Sequence, residues 1–530
     1  MTVKAIRFEN FMAFADTGWL ELRPITLLFG RNSSGKSVVI RALRLLKQSL
    51  DHLSEKNPLV FVTEDGVDLG SFKATVHQQA LKEPITFHFR CDLSQARTKV
   101  LDALRDRINH RRVMDGYQSI PSESAPKELD VSLSYAWDHE KQLVVPIAVQ
   151  VECPWEIISD LGQRLVFSAE RYRIDLEKLE AANLQEAWTW SDEWVPWSEL
   201  LYEHESEEGE APWASAAFSL TVGFWPRLTA LPGKVLPNDP NSTTDFGLVA
   251  NLIGEFQVII ENFLRSIEYL GPIRPEPARA YSLDQFEKRR WERRGLKAFV
   301  GYLSEDVDEE KVNKISEWIR QLDLGAAVKP EKYYAGDLGL MAEVNVDESP
   351  EIPKVNLLDV GFGASQVLPI LVHSVLTKPG HLVIIEQPEL HLHAGAQGDL
   401  ADFFTQSLNS IDKKFLIETH SEHLLLRLQR RVAETNYDKC FPKRKKQRNQ
   451  GFSLEPRKIL LIFVSRSGGI SRNEFIEMNQ YGELVKPSLS FQDFFKYDYD
   501  DVMKLLDTVA DIKRLAGSKS RSKTYQESQQ

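Results

Sequence analysis

The run Gly30-Arg31-Asn32-Ser33-Ser34-Gly35-Lys36-Ser37 has the residue types and spacing of a phosphate-binding loop. It fits G-x-x-x-x-G-K-[ST] in full. Gly30 and Gly35 let the backbone curl so that successive N–H groups face phosphate oxygens, and a following helix adds the positive end of its dipole. Lys36 is then placed to reach the β- and γ-phosphates, and the Ser37 hydroxyl to ligate Mg²⁺. A β-prone apolar run, Pro24 to Phe29, precedes the loop, and apolar residues at helical spacing, Val38 to Leu46, follow it. A buried strand, a loop and a helix N-terminus in that order imply a bound nucleoside triphosphate, ATP with Mg²⁺.

Far downstream, His381-Leu382-Val383-Ile384-Ile385-Glu386-Gln387-Pro388-Glu389 is an apolar strand ending in acids. An acid at the end of a core strand can hold Mg²⁺ beside phosphates, and Glu386 is the candidate, paired with Ser37. A second such strand, Lys414-Phe415-Leu416-Ile417-Glu418-Thr419-His420-Ser421, brings His420 as a γ-phosphate sensor or a group polarising water. Upstream, Asp359-Val360-Gly361-Phe362-Gly363-Ala364-Ser365-Gln366 is a Gly-rich turn running into an apolar helix, Val367 to Leu376. That helix start is another phosphate cap.

The elements that must position these residues are spread over 530 residues, too many for one ordinary core. A hydrophobic content of 42% is that of a globular chain. No apolar run is long enough to span a bilayer and no secretory pattern opens the sequence, so no membrane partner is expected. Cys91, Cys153 and Cys440 are isolated, which excludes a disulfide framework or metal knuckle and suits a reducing cytoplasm. A net charge of −12 argues against a globally basic nucleic-acid coat, though not against a local basic groove. Prolines from Pro146 to Pro240 rule out one uninterrupted coiled coil in the middle region. The expected fold is α/β, divided into 1–90 with the phosphate loop, an insertion lobe of mixed α+β character over 91–343, a second half of the same head over 344–440, C-terminal strands and a small appended domain over 451–512, and a polar tail over 513–530.

The order of loop, long insertion, Gly-rich turn, strand-acid-Pro and strand-His resembles the ABC-type ATPase heads of the SMC, RecF and overcoming-lysogenization-defect group. The phrases Ile385-Glu386-Gln387-Pro388-Glu389-Leu390-His391-Leu392-His393 and Glu418-Thr419-His420-Ser421-Glu422-His423 are similar to a prokaryotic branch of AAA-family ATPases. That branch carries a small C-terminal domain of unknown function, which Asn473 to Leu484 and Phe491 to Phe495 resemble; Tyr269-Leu270-Gly271-Pro272-Ile273-Arg274 matches more thinly. The resemblance implies an ATP sandwich in which Gly361, Gly363, Ser365 and Gln366 of one protomer cap the γ-phosphate held by Lys36 of another. It also implies a Gln-containing loop, for which Gln78 and Gln79 are candidates. His391 to His393 would lie near the dimer seam.

Two departures matter. The turn lacks the family's Leu-Ser-Gly-Gly, with Gly361 where the serine usually stands and Ser365 the remaining hydroxyl. Gln387 fills the slot of the usual catalytic glutamate, and an amide cannot accept a proton from water. Either Glu389 or Glu418 substitutes, or hydrolysis is slow and the ATP-bound dimer is long-lived; slow hydrolysis is the expectation. The resemblance further implies a DNA-associated or anti-phage role with a separate effector, a nuclease or toxin. No Asp-x-Asp pattern of a metal-dependent nuclease follows His420. A RecF-like repair clamp and a non-hydrolysing ATP-binding scaffold are the alternatives.

Other features have ordinary explanations beside functional ones. His391 and His393 share a strand face, but no third ligand is indicated for zinc. The segment Lys288 to Lys297, with Trp291 at its centre, reads as a solvated helical face or a contact to DNA phosphates. Lys443 to Arg448 reads as a surface loop able to touch DNA. Residues 186–213 hold tryptophans among acids and no Lys or Arg, which suits either a partner-docking surface or a lobe core.

Overall fold

A computed structural model of the chain describes residues 2–52, 57–64, 66–93, 128–139, 142–153, 165–172, 187–190, 218–219, 229–230, 256–284, 297–304, 307–347, 353–410, 413–441 and 451–495. At its centre the apolar runs noted above lie side by side. The sheet order is Ile267–Leu270, Leu382–Glu386, Lys414–Glu418, Ile25–Gly30, Ile459–Ser467 and Ile470–Ile476. The first five strands are parallel and the last turns back antiparallel. A parallel sheet needs cover on both faces, which is why these strands are apolar throughout rather than alternating. Successive side chains point to opposite faces. Leu28, Ile384, Leu416 and Ile462 enter one core, and Leu27, Ile385, Ile417 and Leu461 the other.

The first core is closed by the helix Lys36–Asp51 and by an antiparallel sheet containing Thr2–Phe11, Ile85–Asp92 and Glu128–Asp138. Pairing runs from Ile85↔Tyr135 to Asp92↔Glu128, so strands of the first segment and of the middle one share a sheet. That sheet continues through Leu143–Cys153, Leu165–Tyr172 and Ala187–Trp190. The second core is closed by the helices Glu309–Gln321, Phe362–Leu376, Ala394–Ser410 and Glu422–Cys440. A smaller antiparallel sheet of Ala327–Tyr334 and Leu340–Asp347 flanks it.

Boundaries differ from the sequence expectation in instructive ways. Ahead of the loop strand, Thr2–Phe11 turns into Phe14–Asp16, and the short strand Leu20–Glu21 pairs back on it. The helix expected to begin at Val367 begins at Phe362 and keeps Pro369 inside, although proline lacks the N–H that a helix interior uses. Every residue from Ala364 to Val375 is buried, so tertiary packing overrides that local cost. The basic runs Lys288 to Arg294 and Lys443 to Arg448, most of 186–213 and the tail lie outside the described residues. Among the described residues no helix is long and apolar enough to cross a membrane.

One buried group tests this core. His373, on the helix Phe362–Leu376, is fully buried with neither ring nitrogen hydrogen-bonded, and burial depresses its pKa to about 3. In the unfolded chain it titrates near the usual value of about 6.5, so its neutral folded form costs nothing above that pH. As pH falls from there toward 3 the unfolded state binds the proton first, and stability is lost. His373→Leu is therefore expected to flatten the acid limb of stability, gaining about 1–3 kcal/mol at pH 4.5 relative to its effect at pH 8. Urea unfolding at the two pH values measures it, and an equal effect at both would reject the assignment.

Candidate nucleotide-binding site

The loop from Gly30 to Gly35 is built by backbone shapes that few residues tolerate. Gly30 has φ +150° and Gly35 φ +106°, and Ser33 takes φ +60° between them. A Cβ on Gly30 would stand 2.3 Å from the Val464 carbonyl, and one on Gly35 2.7 Å from Ser471 Oγ. Ser471, on the last strand, also donates its hydroxyl to the Ser34 carbonyl at 2.7 Å. The hairpin of Ile459–Ser467 and Ile470–Ile476 thus braces the loop from behind. Lys36 is buried, and its ammonium donates to the carbonyls of Gly30 (2.9 Å) and Arg31 (3.0 Å). Burial lowers its pKa, with Glu418 opposing the shift.

Two acids end neighbouring strands. Glu386 and Glu418 are register partners, and Glu418 lies on the strand next to the loop. The Ser37 hydroxyl donates to Glu418 Oε2 at 3.0 Å, and Lys36 Nζ stands 4.0 Å from Glu418 Oε1. Burial raises the Glu418 pKa, and repulsion from Glu386 adds to it. Glu386 sits one strand further out, where its carboxylate accepts from the Tyr269 hydroxyl at 2.7 Å; the Tyr269 ring packs beneath Arg44 of the loop helix, 3.9 Å from centroid to guanidinium carbon. Ser37 therefore meets Glu418 directly, rather than the Glu386 expected from the sequence.

Gln387 has φ +46°, a strained value for a non-glycine residue, and its N–H donates to the Glu418 carbonyl at 2.7 Å. The His420 N–H donates to Glu389 Oε1 at 2.7 Å. Burial, followed by nearby Lys36, lowers the His420 pKa and favours the neutral ring. Burial raises the Glu389 pKa, and its Oε2 has no partner among the described residues. Arg274 is 3% exposed; its Nη2 donates to the Glu386 carbonyl at 3.0 Å while Nε and Nη1 are unpartnered.

Lys36, Ser37, Gln387, Glu418 and His420 border one cavity of about 660 Å³. Asn32, Ser33, Gly35, Lys36, Ser37, Gln387, Glu418 and His420 line it, and so do Gln78 and Gln79, both with left-handed backbones (φ +52° and +58°). Glu386, Glu389 and the Gly-rich segment are not on its wall. Gly361 and Phe362 are exposed at their helix start, but Ser365 donates its hydroxyl to the Phe362 carbonyl at 2.8 Å and Gln366 is bonded through its amide to the backbone of Arg274. His391 packs edge-on against Phe362, 4.7 Å between ring centroids. Among the described residues no group of three or more His, Cys, Asp or Glu is arranged to hold a metal ion. A Mg²⁺ carried by phosphates needs fewer protein ligands.

The residues present fit a Mg²⁺-polyphosphate. Lys36 turns back on loop carbonyls, the Ser34 hydroxyl is buried without a partner, and Glu418 is pressed by a second carboxylate. Anionic oxygens and a divalent cation relieve all three. Sequence reasoning missed Tyr269 and Arg274 as supports of Glu386, and Arg41 and Arg466 on the cavity wall. Only the Tyr269 to Arg274 stretch carried a signal, through its resemblance.

Comparison with known proteins agrees with this geometry. The AAA ATPase domain family matches residues 259–425, and the family described as AAA domain, putative AbiEii toxin, Type IV TA system, matches residues 25–121. No curated protein matches the sequence. Similar solved structures include an SMC head bound to the C-winged helix domain of ScpA, at 9% identity and TM-score 0.36, covering 90% of this chain and 98% of that one. The SMC head domain from Thermotoga maritima follows at 9% and 0.33, covering 89% and 98%. The Pyrococcus furiosus Smc head domain with an extended coiled coil, bound to the C-terminal domain of ScpA, gives 10% and 0.33, covering 96% and 99%. Those TM-scores are too low to carry an argument. The two matches, which divide between them the loop and the acid and histidine strands, make the chain similar to AAA-type ATPase domains over both parts of the site.

Proposed function

We propose that the chain binds MgATP in this cavity, hydrolyses it slowly, and uses nucleotide state to switch a head-to-head homodimer that controls a separate effector. The convergence of Lys36, Ser37, Glu418, Gln387 and His420 on one cavity is the observation that carries the reading. Loop N–H groups and Lys36 hold the phosphates, while Ser37 and an acid, Glu418 or Glu386, face the metal. Bound Mg²⁺ supplies neutralisation of the charge that develops on phosphate oxygens.

Gln387 orients water without accepting its proton. Two carboxylates could take the proton instead. Glu418 is engaged by Ser37, and Glu389 is 8% exposed and bonded to the His420 N–H. Glu418 is thus engaged and Glu389 lies off the cavity wall, which favours slow turnover. The exposed Gly361 and Phe362, with His391 against them, are the surface for the second copy. The toxin label on the family matching residues 25–121 supports an anti-phage or toxin-type setting with a nuclease or toxin as effector. Any DNA contact falls to Lys288–Lys297 or Lys443–Arg448.

Lys36→Ala is expected to abolish ATP binding in titration calorimetry, and unchanged affinity would remove the site. Gln387→Glu should raise phosphate release by at least about ten-fold, since a positioned base contributes that much or more. An unaltered rate rejects the missing-base explanation. Phe362→Asp should block ATP-dependent dimerisation in sedimentation velocity while leaving monomer affinity for ATP intact; a dimer that persists would place the seam elsewhere.

A further inference from the structure

The cavity wall brings together two groups of residues, each tied by its own hydrogen bonds. One is Lys36, Ser37, Glu418, Gln387 and His420. The other is held by main-chain contacts. The Met12 N–H donates to the Thr75 carbonyl at 2.6 Å, His77 Nδ1 meets the Met12 carbonyl at 2.9 Å, and the Ser471 N–H donates to the Ala13 carbonyl at 2.9 Å. Met12, Ala13, Ala74 and Val76 add apolar surface to the wall. Among the described residues no Phe, Tyr or Trp lines the cavity to receive the flat face of a base.

Arg466 stands on the cavity wall beside the phosphate loop. It is the register partner of Ser471, just before a two-residue turn at Gly468 and Gly469 whose φ values of +60° and +85° mark the tight hairpin turn that fixes strand register. Its Nε donates to the Gly469 carbonyl at 3.2 Å and its Nη1 to the Ser33 carbonyl at 3.4 Å, which lays the guanidinium over the loop. The side chain is exposed, lines the cavity, and has no carboxylate partner among the described residues. A guanidinium is planar and weakly hydrated, and it stacks on π-systems as readily as it pairs with anions.

We propose that Arg466 is the stacking platform for the base of the bound nucleotide. The C-terminal hairpin then supplies the base-binding surface that an aromatic side chain would otherwise provide. This rests on the nucleotide reading above. Lys36, the loop N–H groups and the helix start already serve the phosphates. Of the other flat side chains on the described wall, His77 is half-engaged, His420 stands by Lys36 and Arg41 belongs to the loop helix, which leaves Arg466. Phosphate contact and base stacking make different demands on position 466. A phosphate contact needs charge and tolerates lysine; stacking needs a flat face and tolerates phenylalanine.

The test is equilibrium binding of ATP and of inorganic tripolyphosphate, each with Mg²⁺, to the full chain and to its Arg466→Ala, Arg466→Lys and Arg466→Phe variants. Arg466→Ala and Arg466→Lys should weaken ATP by about ten-fold and leave tripolyphosphate unchanged, and Arg466→Phe should restore ATP. Equal weakening of ATP and tripolyphosphate, or rescue by lysine and not by phenylalanine, would overturn stacking in favour of a phosphate contact. Unchanged ATP affinity in Arg466→Ala would overturn it outright. Failure of the wild-type chain to bind ATP at all would sink the nucleotide reading, and stacking with it.

Discussion

One hydrogen bond joins residues 381 positions apart, from the Ser37 hydroxyl to the Glu418 carboxylate. It exists because the loop strand and the histidine strand are parallel neighbours whose ends finish level, with Leu28 opposite Glu418. The candidate site hangs from that register. A slip of one residue would turn Glu418 to the other face of the sheet and leave the start of the loop helix without an acid. The same register sets Glu386 beside Glu418, so two carboxylates share one corner with Lys36 4.0 Å away. The corner is short of positive charge until a cation enters it.

The price of this arrangement is instability held locally. Arg274 and Glu389 carry buried polar atoms with no partner among the described residues, and such atoms cost about 1–3 kcal/mol each. Gln387 adds backbone strain of the same order. The large apolar layers on both faces of the parallel sheet absorb these costs, since whole strands and helices such as Phe362–Leu376 are buried around them. Rigidity in the core and tension at the strand ends are two sides of one design. Arg274 links them: its backbone holds Gln366 of the Gly-rich helix, and its side chain holds the carbonyl just before Gln387.

How much of this was legible depended on how local the information was. The phosphate loop, its strand and its helix are written in consecutive residues, and Gly30 and Gly35 take the left-handed backbones that only glycine accepts easily. The apolar strands before Glu386 and Glu418 were equally plain. Which acid meets Ser37 was not, because strand order decides it and both strands end alike. Ser365 and Gln366 looked like free caps in the linear sequence; their burial follows from Phe362–Leu376 beginning a turn earlier than its apolar run. Arg466 carried no signal at all. Its proximity to Ser33 comes from a strand more than four hundred residues away pairing beside the loop strand.

The C-terminal segment is part of the site's support. Ile459–Ser467 pairs in parallel with the loop strand from Ile459↔Ile25 to Val464↔Gly30, so its carbonyls set the floor under Gly30. Beyond the hairpin, Phe491, Phe494 and Phe495 cluster against Phe463, and Phe495 meets Phe29 edge-on at 5.6 Å, one residue before the loop. Phe494 also approaches the His420 ring at 6.2 Å. Aromatic contacts of this kind are worth about 0.5–1.5 kcal/mol apiece beyond their burial. A shift of His420 or of the loop on nucleotide binding must therefore be accommodated by this aromatic cluster or resisted by it. The last described residues of the chain are mechanically coupled to the first functional ones.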